Sequence, residues 1–223
     1  MNGPFAWFKW QALFSEWTVF AEGFANTALI SVLALGLALL LGVLFGALAS
    51  TKGKLPQFIS RVYVEFIQNT PLVIQIFFLY NGLPYLGITM DVMAVGILGV
   101  GIYHGAYIAE VFRAGINAIP RGQREAAASQ GFSYWQSMRY IILPQTLPII
   151  LPPLTNQAIF LIKNTSVLAM VAGGELMYRA DSWSSNNLYY GPAYIVSGLL
   201  YLALCLPLSR LAKRLETGKE ARA

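Results

Sequence analysis

Glu125-Ala-Ala-Ala-Ser-Gln-Gly131 stands in the middle of this chain, and Ile141-Ile-Leu-Pro144 follows ten residues beyond it. The segment is polar and flanked by Arg121, Arg124 and Arg139, yet long apolar stretches lie on both sides of it. A short polar run between two such stretches reads as a loop on one face of a membrane. Polar and basic-flanked, it reads as a cytoplasmic loop built to be gripped by another protein.

Composition supports the membrane reading. The chain has 223 residues, a mean hydropathy of +0.57 and 11% charged residues, against about 25% in ordinary soluble domains. No charged residue lies between Gly23 and Thr51, Phe66 and Met90, Val92 and Ala109, Tyr140 and Ile162, or Ser182 and Ser209. A spanning helix needs about 20 mostly apolar residues. These gaps predict an all-α integral membrane protein with five spanning helices, near 20–50, 58–84, 92–117, 144–172 and 190–212. The third gap is short and reaches full length only if Glu110 and Arg113 face protein.

Lys and Arg give the orientation. Of the 15 basic residues, 12 fall in the loop after helix one, the loop of residues 118–143 with its flanks, and the tail. Lys9 and Arg179 lie on the other side, and Lys163 is left inside a span. The positive-inside rule then puts the C-terminus in the cytoplasm and the N-terminus outside. The net charge of +5 is accounted for by topology, so nucleic acid is not an expected partner. Residues 215–223 read as a cytoplasmic tail. The first apolar run is too long, and too poor in basic residues at its start, for a cleavable signal.

Residues 1–19 carry Trp7, Trp10, Phe14 and Trp17 on one helical face, as expected of a segment lying in the membrane interface. Gly42 and Gly46, like Gly101 and Gly105, have a small-xxx-small spacing that lets helices approach closely. Pro71, after Gln68, Asn69 and Thr70, predicts a break in helix two that lines a cavity or packs on protein; Gln75 would line that cavity or bridge helices by hydrogen bonds. Pro144, Pro148, Pro152 and Pro153 predict a bent entry to helix four, its regular part beginning near Pro153. One His and one Cys, a hundred residues apart, leave neither a catalytic constellation nor a metal site.

Lys163 most needs a reason. It lies about 15 Å from Pro153 along a helix, roughly half a hydrocarbon core. A lysine at that depth marks a substrate path or a paired site. Asn164, Thr165 and Ser166 add an amide and hydroxyls, and the group could hold a carboxylate. A structural pair with Glu110 or Glu175 is the plainer alternative. Glu110 and Arg113, three apart, are expected to pair with each other.

Glu125-Ala-Ala, three residues, Gly131, nine residues and Ile141-x-Leu-Pro144 together resemble the EAA loop of ABC importer membrane subunits. Asn69-Thr-Pro-Leu-Val-Ile-Gln75, Ala106-Tyr-Ile-Ala-Glu-Val-Phe-Arg113, Gly122-Gln123 and Lys163-Asn-Thr-Ser166 are similar to the polar amino acid branch of type I importers. The resemblance runs from about Gly23 to Arg214. It implies a type I transmembrane domain over 20–214 in the bacterial cytoplasmic membrane. It implies a second permease subunit, two cytoplasmic ATPases and an extracytoplasmic amino-acid-binding protein. Glu125, Ala126, Ala127 and Gly131 would couple to the ATPase. Asn69, Thr70, Gln75, Lys163, Asn164, Thr165 and Ser166 would line the path. The chain lacks a Gly-x-x-x-x-Gly-Lys-Ser/Thr phosphate loop, so it is not expected to be an enzyme or to hold a cofactor. ATP and magnesium would belong to the partner. Gln68 stands where relatives often have Arg, and Asn164 where many have Asp. With no acid near Lys163, glutamate, aspartate or glutamine is the expected substrate. A stand-alone ion-coupled transporter would explain Lys163 and the broken helices, but not the loop spacing, and it usually needs inverted repeats, which are not found.

Overall fold

A computed structural model describes residues 3–220, with side chains through residue 216. The side chain of Lys219 and all of Arg222, both counted in the basic tail, lie outside the described residues. So do Met1 and Asn2 of the N-terminal segment. Every regular element among the described residues is helical.

Two helices form the spine: α2 (Trp17–Ala49), which follows the short α1 (Trp7–Ser15), and α5 (Val92–Asn117). Along α2 the buried positions Thr27, Ser31, Ala34, Ala38, Gly42 and Gly46 recur every three or four residues. That row of small side chains lets the two backbones close up, as between membrane helices generally. A Cβ at Gly46 would meet Phe112, one at Gly101 would meet Leu37, and one at Gly42 would strike Ile108. The partners rise together along both helices, so α2 and α5 run parallel. The chain between them must therefore return along their length.

The return leg is broken. Helix α3 (Lys54–Gln68) and the segment Leu72–Leu86, which opens with α4 (Leu72–Phe77), meet at 97°. Pro71 begins the second part, as expected, but helix two is not one rod over 58–84. The freed carbonyls are met locally. Gln75 Nε2 donates to the carbonyl of Ile67 at 3.0 Å and to Thr70 Oγ1 at 2.8 Å. Asn69 Nδ2 donates to the carbonyl of Glu65 at 2.7 Å, and Thr70 Oγ1 to that of Phe66 at 2.9 Å. Gln75→Leu is expected to lower stability by about 1–3 kcal/mol, because it strands buried acceptors. A thermal-unfolding shift in detergent checks this, and an unchanged midpoint would count against it.

After α5 come two short helices, α6 (Arg121–Ser129) and α7 (Tyr134–Ser137), and a π turn at Met138–Ile142. Then α8 runs continuously from Leu143 to Asn164 with Pro148, Pro152 and Pro153 inside it. The regular part thus starts ten residues earlier than the prolines suggested. Side chains and local π adjustment can satisfy carbonyls that proline frees in a membrane helix. At the π turn Gln145 Nε2 and Thr146 Oγ1 donate to the carbonyls of Ile141 and Ile142, ahead of the carbonyls of Pro144, Pro148 and Ile149 that the inner prolines free. A 3-10 stretch, Thr165–Val171, ends this leg. Helix α9 (Leu176–Asn187) follows at 46°, capped by the fully buried Glu175, and α10 (Tyr190–Glu220) closes the chain.

Trp17–Ala49, Val92–Asn117 and Tyr190–Glu216 are each long and apolar enough to cross a membrane. The count reaches five when each bent pair is one crossing. At the N-terminus, Trp10, Phe14, Trp17 and Phe20 form a ladder of rings 6.3–6.5 Å apart, while Leu13 faces the core.

Candidate translocation and coupling site

The central loop folds for stated local reasons. Eight of the nine residues of α6 are exposed, and only Ala127 is buried. Such a short helix is marginal in isolation, so its seat matters. Arg124 Nη2 donates to the carbonyl of Ile116 at 2.9 Å, and Ile116, Ile119 and Ile142 pack together beneath. At the C-terminal end, Phe132 N bonds the carbonyl of Ala127 and Gly131 N that of Ala128, both at 3.0 Å. This is the Schellman pattern. It holds Gly131 at φ +80°, where a Cβ would be strained whatever the space. Ser133 and Gln136 then form a capping box that starts α7. The carboxylate of Glu125 is exposed and makes no hydrogen bond or ion pair among the described residues. Glu125 and Ala126 thus present an uncovered helix surface.

A second site lies midway along α5, against the C-terminal third of α8. These two run antiparallel, since Gly115 packs against Ile150 and Thr146 while His104 meets Gln157 and Asn164. The His104 ring is buried between two amides, Nδ1 at 3.2 Å from Gln157 Oε1 and Nε2 at 3.0 Å from Asn164 Nδ2. Both bonds form together on the ring with its proton at Nδ1, which donates to Gln157 while Nε2 accepts from Asn164. The open side is a pocket of about 210 Å³ lined by Tyr103, His104, Tyr107, Gln157, Phe160 and Asn164. Lys163 is exposed next to it, its Nζ 5.7 Å from the centre of the Phe160 ring.

Neither predicted structural partner meets Lys163. Glu175 accepts from the amides of Met177 and Tyr178 and from the Tyr201 hydroxyl, at 2.7, 2.7 and 2.8 Å. Glu110 is held by Arg113, Nε lying 2.9 and 3.0 Å from its two oxygens and Nη2 2.7 Å from one. Among the described residues Lys163 has no ion pair. On its exposed face Asn156 and Phe160 are also uncovered. A cation and an amide in mid-span are costly against lipid, so this face requires protein or a water-filled path over it.

The remaining expected path residues divide. Asn164 reaches the pocket through His104. Thr165 is fully buried, its hydroxyl on the carbonyl of Ile162 at 2.7 Å, and Ser166 bonds that of Lys163 at 2.7 Å. Asn69, Thr70 and Gln75 lie at the break in helix two. Thr70 and Gln75 border a separate, apolar cavity of about 390 Å³. Sequence reasoning missed Gln157, Tyr103 and Tyr107. Their signal was spacing, since Gln157 and Asn164 share a face of α8, as do Tyr103 and Tyr107 of α5.

Known proteins match this architecture along most of its length. A family model described as "Binding-protein-dependent transport system inner membrane component" matches residues 38–220. The probable glutamine ABC transporter permease protein GlnM of Bacillus subtilis is 45% identical over 208 residues, covering 92% of this chain and 96% of that one. The glutamine transport system permease protein GlnP of Escherichia coli is 34% identical over 211 residues, covering 94% and 96%. A crystal structure described as an amino acid ABC transporter with histidines superposes with a TM-score of 0.86 at 30% identity, covering 93% and 97%. The chain therefore belongs to the binding-protein-dependent transport system inner membrane components, the multi-pass permeases of ABC transporters.

Proposed function

We propose that this chain is the permease subunit of an ATP-driven importer of polar amino acids, with glutamine as substrate and glutamate and aspartate as its nearest competitors. It crosses the membrane five times, N-terminus outside, and pairs with a second permease subunit over the Asn156–Lys163 face. Two cytoplasmic ATPases grip α6, and an extracytoplasmic binding protein delivers substrate from the other side. ATP-driven closure draws the two α6 helices together and rocks the bundle between inward- and outward-open states.

The observation that carries this reading is Lys163, an exposed mid-span cation beside a pocket of amide, imidazole and phenol groups. Lys163 suits the substrate carboxylate. The pocket has no carboxylate, so a cationic side chain finds no counter-charge there. The glutamine names of the relatives support the same class.

The test is ATPase stimulation in vesicles holding this chain with its ATPase and binding protein, each of the twenty amino acids supplied in turn. Stimulation confined to glutamine, or to glutamine with glutamate and aspartate, is expected. Equal stimulation by arginine or lysine would overturn the substrate assignment.

A further inference from the structure

One face of α5 continues beyond the pocket toward the cytoplasmic end. Tyr103, Tyr107, Glu110, Arg113 and Asn117 follow at helical spacing and remain half-exposed or exposed, whereas His104, Ala106, Ile108 and Ala109 between them are buried. The first two line the mid-span pocket. The last three line a larger cleft of about 910 Å³, together with Lys52, Arg61 and Gln68. Tyr107 and Glu110 are three residues apart, a rise of about 4.5 Å. Pocket and cleft are thus successive parts of one polar stripe.

The Glu110–Arg113 pair stands at their junction. Its side chains retain 36% and 44% of their exposure. An ion pair so open to water contributes little to stability, so folding alone gives weak reason for it. Its chemistry fits another task. A carboxylate and a guanidinium fork side by side match the α-ammonium and α-carboxylate of a free amino acid. A zwitterion carries no net charge, so it can replace the mutual bond without leaving either residue unpaired.

We propose that Glu110 and Arg113 form a release station for the amino acid backbone. Leaving the pocket, the substrate exchanges its bonds there for Glu110 on its ammonium and Arg113 on its carboxylate, then enters the cytoplasmic cleft. The station reads only backbone charges, so selection stays in the pocket. This rests on the importer reading above. Because the cleft lies at the inner end, amino acid accumulated inside also reaches the station and slows the next turnover.

The test uses vesicles with the complete transporter, preloaded with unlabelled glutamine over a concentration range, and measures initial uptake of labelled glutamine. The wild type is expected to show inhibition by internal glutamine. In the Glu110→Gln, Arg113→Gln double variant the internal IC50 should rise about tenfold or more, with external KM within about twofold of wild type. Arg113→Lys keeps the charge but loses the fork, and should raise the IC50 by a smaller factor. It also serves if the double variant fails to fold. The proposal is overturned if wild-type uptake ignores internal glutamine, if the IC50 is unchanged in both variants, or if IC50 and KM move together. Absence of wild-type uptake would instead sink the importer reading, before any variant is compared.

Discussion

Glu125→Lys is expected to abolish ATP-driven uptake while leaving the membrane helices folded. The folding half follows from exposure. The Glu125 side chain makes no hydrogen bond or ion pair among the described residues, and surface changes of that kind usually stay within about 0.5 kcal/mol. The functional half follows from the proposed seat of α6 in the ATPase. A carboxylate buried against a partner's cationic or N–H groups loses about 2–5 kcal/mol when its partner is stranded, and charge reversal adds repulsion. That corresponds to about 30- to 3,000-fold in affinity. Co-purification of the ATPase with the permease reads it. A stable complex with normal uptake would sink the role of α6. Gly131→Val should act differently, because it strains a backbone held at φ +80° and costs about 1–2 kcal/mol locally. It should weaken ATPase binding by misaligning α6 rather than by removing a contact.

Lys163→Met is expected to lower glutamine uptake by about 100-fold or more, with the ATPase still bound. Methionine is similar in volume and unbranched, so packing against Phe160 survives. What is lost is the cation proposed to hold the substrate carboxylate. Stranding one member of a desolvated charge pair costs about 3–5 kcal/mol, or roughly two to three and a half powers of ten. Were Lys163 only structural, its removal would change stability and leave uptake per folded complex intact. Its lack of a carboxylate partner among the described residues argues for the first outcome. Uptake within twofold of wild type would contradict it.

The sequence carried the fold through local signals. The charge-free gaps gave the apolar legs, and the third expected span, 92–117, coincides with α5. Small-residue spacing at Gly42, Gly46, Gly101 and Gly105 correctly indicated close approach, because a missing Cβ is a local property with a direct packing consequence. What stayed hidden was long-range. The ring of His104 is joined to residues 53 and 60 positions away, and no periodicity announces such a bond. Helix α9 escaped notice because Leu176–Asn187 is short and polar, with Arg179 and Asp181 in its first half, and only its second half falls in a charge-free gap. The 97° bend was signalled only as a break, since Pro71 says that a helix ends and not where the chain turns next.

Asn69, Thr70 and Gln75 carry a related lesson. Polar side chains next to a proline in a membrane helix invite a substrate role. In this structure they repair the backbone that the proline breaks. Lys163 differs because no carboxylate among the described residues pairs with its charge, which meets only the face of the Phe160 ring.

Accumulation of labelled glutamine in vesicles tests the central claim most directly. The vesicles hold this chain, its ATPase and its binding protein, with ATP or ADP at the ATPase face and no ion gradient. Accumulation above the external concentration is expected with ATP and none with ADP. Equal accumulation by this chain alone, driven by an imposed ion gradient without the ATPase, would contradict it.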